Sequence, residues 1–303
     1  MNAPAVSLRA CGLELRLGER PWLMGIVNAS PDSFSDGGLR RTLEAQVALA
    51  DELLQAGADL IDVGGESAST GKPALDPDEE IRLVAPLVER VAGELGALVS
   101  IDTYKPAVAR AAIAAGAKVV NDVSGLRDPG LAEVCAQSGA ALVLMHTRAA
   151  PRERLQDPAL YSDIAAEVLA FLRARVADAV ARGVAREQLI LDPGPDFAKT
   201  PAQTIRLLAE GERLHELERP LLMAISRKDF IGALTGRSPR GRLAGTLAAL
   251  AHGVEQGAHI FRVHDVAAAH DFLTVRAALA GRGELQETLG LADELRYERE
   301  PLG

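Results

Sequence analysis

Cysteine is scarce in this chain: Cys11 and Cys135 are the two in 303 residues. They stand far apart, and neither has a His or Cys neighbour at metal-ligand spacing. That argues against a disulfide framework or a zinc site and fits a reducing compartment. No apolar run approaches the roughly 18 residues that cross a bilayer, so no membrane partner is expected. The opening MNAPAVSLRA lacks the long apolar core of a signal peptide, and a cytoplasmic location is expected. Excess positive charge is missing too. The formal net charge of −9 argues against broad nucleic-acid binding. Any anion site must then be local, built from a few placed cations and backbone N–H groups. Neither a GxGxxG fingerprint nor a low-complexity linker interrupts the chain.

What is present is the balance of an ordinary globular protein, 48% hydrophobic and 25% charged, enough apolar material for a large core. Residues 6–20 alternate apolar and polar around Gly12, predicting a β-hairpin. After it one theme repeats: short apolar runs, then longer Ala/Leu/Glu/Arg-rich stretches with helical periodicity. The predicted strands are 22–27, 60–63, 98–101, 118–121, 141–145, 189–192, 221–226 and 259–263. Runs that are apolar throughout suit a parallel sheet covered on both sides. Eight such units predict an α/β fold, a closed (β/α)8 TIM barrel with an N-terminal β-hairpin. A doubly wound open sheet is the main alternative. The expected layout is one domain: hairpin 6–20, barrel about 21–281, and a peripheral polar tail 282–303.

In such a barrel, side chains at the strands' C-terminal ends converge on one face. Those positions hold Asn28, Asp62, Glu66, Asp102, Asn121, Asp122, His146, Asp192, Ser226, Arg227, Lys228, Arg262, His264 and Asp265. A single strand-end carboxylate is as readily a rim hydrogen bonder as a functional group. Polar ends on every strand are harder to explain as packing, because buried polar groups need partners. Asp102, Asn121 and Asp192 offer acceptors for a planar, N–H-rich heterocycle. Asn28, Arg262 and His264, on the adjacent first and eighth strands, suit a polyanion such as pyrophosphate. His146 by itself reads as an interior histidine with its needs met. Within LLMAISRKDFIG (221–232), Asp229 follows two cations at the start of a helix, where a carboxylate favours the backbone dipole.

These segments also carry a family likeness. NASPDSFSDGG (28–38), IDVGGES (61–67), SIDT (100–103), NDVSG (121–125), LMH (144–146), DPG (192–194), SRK (226–228) and RVHD (262–265) occur in the order found in dihydropteroate synthases. The chain resembles that family from about Leu23 to Val275. The resemblance implies a transferase of folate biosynthesis, a sulfonamide target, that joins a pterin pyrophosphate to p-aminobenzoate and releases pyrophosphate. It implies a pterin pocket of Asp62, Asp102, Asn121, Met145, Asp192 and Lys228. It implies a pyrophosphate site of Asn28, Arg262 and His264, with Mg2+ as cofactor and Asn28 as its ligand. Asp102, Lys228, Asn28, Arg262 and His264 would then be the catalytic set. A homodimer is expected on the same ground.

Three departures from the family pattern fall on the p-aminobenzoate side. Ala68, Ser69 and Thr70 stand where the family usually has Thr-Arg-Pro. DPGPDFAK replaces DPGxGFGK, retaining Phe197 and Lys199 but putting Pro195, Asp196 and Ala198 into a glycine-dependent turn. Asp229 stands beside Ser226, Arg227 and Lys228, where the substrate's own carboxylate is expected. Like charges about 4 Å apart repel by roughly 4 kcal/mol at an effective dielectric of 20. The readings are therefore an authentic synthase with an altered aminobenzoate pocket, a pterin-binding paralogue that has lost or changed p-aminobenzoate use, and a related methyl transferase. Arg262 and His264 weigh against the last, which has no pyrophosphate to hold.

Overall fold

The computed structural model describes residues 3–29, 42–66, 74–282, 289–292 and 295–296. Most of the expected C-terminal tail lies outside the described residues, as do Ala68 and Ser69. Strands β1 (Val6–Ala10) and β2 (Leu13–Leu17) pair antiparallel, from Val6 opposite Leu17 to Ala10 opposite Leu13. The two-residue turn closes because Cys11 and Gly12 take φ of 47° and 82°, the left-handed pair a tight hairpin needs.

Eight parallel strands follow: β3 (Trp22–Asn28), β4 (Leu60–Gly64), β5 (Val99–Asp102), β6 (Val119–Asp122), β7 (Ala141–Met145), β8 (Leu189–Asp192), β9 (Leu222–Met223) and β10 (Ile260–Val263). Their hydrogen-bonded order is β8-β7-β6-β5-β4-β3-β10-β9. The ring closes where Leu191 bridges Leu221 in parallel. There the Leu191 N–H donates to the Pro220 carbonyl at 2.9 Å. This is the barrel that the strand–helix alternation predicts, not an open sheet. The seventh strand is much shorter than its apolar run: only Leu222 and Met223 join the ladder, opposite Ile260 and Phe261.

The outer layer comprises α1 (Leu43–Gln55), α2 (Pro77–Gly93), α3 (Pro106–Ala114), α4 (Gly130–Ser138), α5 (Ile164–Ala181), α6 (Pro201–Ala209), α7 (Asp229–Thr235), α8 (Leu243–Glu255) and α9 (Val266–Leu279). Local chemistry sets their ends. Before α6, Thr200 Oγ1 accepts from Gln203 N at 3.2 Å and Gln203 Oε1 accepts from Thr200 N at 2.7 Å, a reciprocal cap with Pro201 in the first turn. Helix α7 stops at Gly236, whose φ of 67° ends the spiral.

Along a strand, side chains alternate between the helix layer and the barrel interior. Ile61, Val63, Ile101, Val120, Leu142, Leu144, Leu191 and Val263 join the outer core. Met24, Leu60, Val119, Val143, Ile190 and Ile260 form the inner one with Leu8, Ala10 and Leu17 of the hairpin. The hairpin thus plugs one mouth of the barrel. Leu8 and Leu17 are 2% and 1% exposed, so each contributes about 2 kcal/mol of apolar burial. Moving two residues along the same inward rows changes the chemistry. Leu60 gives way to Asp62, Ser100 to Asp102, Val119 to Asn121, Val143 to Met145, Ile190 to Asp192 and Ile260 to Arg262. The apolar plug fills one end, and the polar ring occupies the other.

Candidate active site

The polar ring is knit around Arg262. Its Nε donates to Asp62 Oδ2 at 2.6 Å and its Nη2 to Asp102 Oδ2 at 2.9 Å. Asn121 Nδ2 donates to the same Asp62 oxygen at 3.1 Å. Burial works against the Arg262 charge, but Asp62 and Asp102 outweigh it and hold the guanidinium above its usual range. Asp62, read from the sequence as a strand-end residue of the pterin pocket, lies in the middle of β4 and is 0% exposed. Its contacts are to Arg262 and Asn121, and its second oxygen has no hydrogen-bond partner.

Burial pushes the Asp102 carboxyl up to about 7, with Arg262 opposing and Asp62 reinforcing the rise. Asp192 is pushed up to about 6 by burial, against the Gly194 N–H that donates to its Oδ1 at 2.7 Å and the charges of Lys228 and Lys199. Asn28 ends β3 beside Gly64. A Cβ at that glycine would stand 3.6 Å from Asn28 Oδ1 and 3.6 Å from Asp102 Cβ. Met145 ends β7 and is 1% exposed.

Lys228 is the residue before the first turn of α7, and its Nζ lies 4.4 Å from the centroid of the Phe197 ring. Burial lowers its pKa, while Asp196 and Asp192 work the other way. His264, driven down to about 3 by burial and by Arg262 and Arg227, is neutral at physiological pH. Ser226 Oγ accepts the His264 backbone N–H at 3.2 Å and lies 3.0 Å from His264 Nδ1.

Other strand-end polar residues are engaged elsewhere. Asp122 turns its oxygens back onto the N–H groups of Ser124 and Leu126, at 2.7 and 2.5 Å. Glu66 takes Lys105, Tyr104 and Arg152 side chains together with the Leu75 N–H. Arg227 is bound through two nitrogens to Asp265, at 3.0 and 2.6 Å. His146 is interior, as its solitary position suggested, but its partner is unexpected: Lys199 Nζ, 0% exposed, 2.8 Å from Nδ1. The same ammonium reaches the carbonyls of Gly194 and Phe197 at 2.8 and 2.9 Å. Burial brings Lys199 down to about 7.

The rebuilt DPGPDFAK turn keeps left-handed backbone at the two former glycine positions, with φ of 66° at Asp196 and 50° at Ala198. Asp229 is both a first-turn acid and a paired one: its Oδ1 meets Arg242 Nη1 at 3.1 Å. Arg242 also donates from Nη1 to the Arg227 and Lys228 carbonyls. The expected repulsive carboxylate therefore has a cation against it. Nothing local in the sequence pointed to the Arg242 contacts, and Asp196 carried no signal beyond a family glycine replaced.

Known proteins share this chain's sequence and fold. A family model described as pterin binding enzyme matches residues 24–264. The dihydropteroate synthase of Escherichia coli K12 is 38% identical over 293 residues, covering 97% of this chain and all of that protein. The Bacillus subtilis enzyme of the same name is 41% identical over 249 residues, 82% of this chain and 85% of its own. Among solved structures, Xanthomonas albilineans dihydropteroate synthase with 4-aminobenzoic acid superposes with a TM-score of 0.83 at 45% identity, covering 92% of this chain and 100% of that one. The Yersinia pestis synthase in a sulfonamide complex gives 0.85 at 38% identity, covering 91% and 99%.

Proposed function

The chain belongs to the dihydropteroate synthase family of pterin-binding enzymes, and from that premise we propose how its own side chains carry the reaction. The protein is a transferase that condenses 6-hydroxymethyl-7,8-dihydropterin pyrophosphate with p-aminobenzoate, giving 7,8-dihydropteroate and pyrophosphate. The observation behind the residue assignment is the donor and acceptor pattern of the polar ring. A carboxylate only accepts, so the Asn121 NH2 turns to Asp62 and Asn121 Oδ1 remains to accept from a ligand. Asp192 adds an acceptor and Lys228 a donor. The pyrimidine edge of a pterin, with amino and ring N–H groups beside a carbonyl, is the complement, and Met145 packs on the ring.

Asp102, with a pKa near neutrality, would face the methylene carbon and stabilise positive charge as the bond to pyrophosphate breaks. Arg262 and His264 would take the departing anion. With Ser226 donating its hydroxyl to Nδ1, the neutral His264 ring carries its proton on Nε2, ready to donate to a phosphate oxygen. The aryl amine then attacks the carbon, so no strong general base is required. Asn28 fits a Mg2+ site: its amide is a hard oxygen donor beside Asp102, and pyrophosphate oxygens would complete the set. When bound, the ion would add positive charge at the leaving group.

Phe197, Ser226 and Asp229, with Ala68 and Ser69 of the second loop, are assigned to the p-aminobenzoate side, where a sulfonamide would compete. We assign the protein to the cytoplasm and to a homodimer.

The test is incubation with the pterin pyrophosphate and Mg2+, with and without p-aminobenzoate, and again with a chelator. Dihydropteroate should appear only with the amine present and stop on chelation. Tight pterin binding without product would instead favour a paralogue with another second substrate.

A further inference from the structure

Helix α7 begins without a cap of its own, because Lys228 at its N-terminus makes no side-chain capping bond. The cap comes from another part of the chain. Asp196 Oδ2 accepts the Asp229 N–H at 2.5 Å. Asp196 is itself fixed at both ends. Its backbone N–H donates to Thr204 Oγ1 at 3.0 Å, and the same hydroxyl donates to Asp196 Oδ1 at 3.0 Å. Thr204 is 0% exposed, so this anchor belongs to the packed body of α6. Neighbouring Phe197 lies under the Lys228 ammonium at 4.4 Å, and its carbonyl is held by Lys199 at 2.9 Å.

We propose that Asp196 is a positioning residue for Lys228, tying the first turn of α7 to the β8–α6 loop so that the ammonium stands over Phe197 and beside Asp192. A glycine would satisfy the left-handed backbone here equally well, so the carboxylate is not needed for the turn. Its two side-chain bonds serve the link between the elements instead. The charges facing Lys228 come from Asp196 in the loop, Asp192 on β8, Asp229 on α7 and Arg262 on β10. Asp196 therefore bears on both the place and the charge of the lysine. The inference rests on the synthase reading for what Lys228 binds.

A double-mutant cycle tests it. Calorimetric titration with 6-hydroxymethyl-7,8-dihydropterin pyrophosphate should show Asp196→Gly weakening binding roughly tenfold, the scale of coupling between neighbouring groups. Asp196→Asn, which keeps an acceptor, should recover part of the loss. In a Lys228→Met background, Asp196→Gly should cost less than about twofold more. Equal losses in both backgrounds would overturn the proposal, since Asp196 would then act independently of the lysine. So would no loss in either. A substrate-free arm separates this from failure of the synthase reading: NMR titration of 15N-lysine-labelled protein. The Lys228 amine should titrate at lower pH in Asp196→Asn than in the parent, whatever the protein binds. An unmoved Lys228 titration would overturn the proposal even if the enzyme turns over.

Discussion

The Arg262 guanidinium donates to Asp62 at 2.6 Å across β3, the strand that separates their own strands β10 and β4. The pair organises the pocket without being its whole surface. Asp62, wholly buried, accepts from Arg262 and Asn121 at once and so fixes how each side chain is turned.

Removing that carboxylate should therefore damage stability and recognition together. Asp62→Ala strands part of a guanidinium that is only 21% exposed, although Asp102 still holds the other arm. Breaking a buried pair from one side costs about 3–5 kcal/mol, and retention of Asp102 places the expected loss at about 2–4 kcal/mol. Urea unfolding reads the first effect and pterin titration the second. Asp62→Asn should keep most of the stability. Normal pterin affinity in Asp62→Ala would show that Arg262 and Asn121 orient themselves without it.

Asp192 should behave in the opposite way, trading stability for function. Its folded pKa, raised to about 6 from 3.8, means the folded chain holds a proton between about pH 4 and 6 that the unfolded chain has released. Stability then falls as pH rises through that window and stays reduced above it. Asp192→Asn removes the ionisation and keeps an acceptor for the Gly194 N–H. The variant should be about 1–3 kcal/mol more stable than the parent at pH 7.5, with the gap closing below pH 4. Its pterin affinity should drop at least about tenfold, the scale of one lost charged hydrogen bond. Equal urea midpoints at pH 7.5 would contradict a carboxylate whose ionised form burial disfavours.

The barrel was legible because its apolar runs are too uniform for a half-exposed sheet and too regularly spaced for anything but repeated strand–helix units. The polar ring was legible as a set of strand ends. What a strand-end list blurs is the period of two. Asn121 and Asp122 are adjacent in sequence, yet one points into the barrel and the other caps a turn. Counting in twos from the apolar plug residues, Val119 to Asn121 or Leu60 to Asp62, separates them. Contacts between distant segments left no local pattern to read. Asp196 to Asp229, Lys199 to His146 and Arg242 to the Lys228 carbonyl exist only once the barrel has closed.

Asp229 illustrates how such a contact changes a charge argument. Its side chain is 60% exposed and paired with Arg242, so solvent and a cation both weaken any repulsion of a substrate carboxylate. An exposed pair of this kind contributes about 0–1 kcal/mol. Asp229→Ser should accordingly change the KM for p-aminobenzoate by no more than about threefold and the melting temperature by a few degrees at most. A KM lowered tenfold or more would restore the view that this carboxylate opposes the substrate.

Gly232 offers a sharper probe of the same corner, because it separates folding from function. A Cβ there would fall 2.2 Å from Arg242 Nη2 and 2.5 Å from its Cζ, too close for the arginine to stay. Those guanidinium atoms end a flexible side chain, so Gly232→Ala should push Arg242 outward rather than unfold the helix. Alanine in a helix interior gains about 1 kcal/mol over glycine, offsetting part of the lost hydrogen bonds. The Arg227 and Lys228 carbonyls would lose their common donor, and Lys228 would lose one of the restraints on its backbone. The expected variant melts within a few degrees of the parent but has a kcat/KM reduced about five- to fiftyfold, the range of one to two lost positioning bonds. Kinetics at saturating p-aminobenzoate, with the pterin substrate varied, would assign the loss to Lys228. Unchanged kinetics in that experiment would mean Arg242 steadies the α7–α8 corner without reaching the pocket.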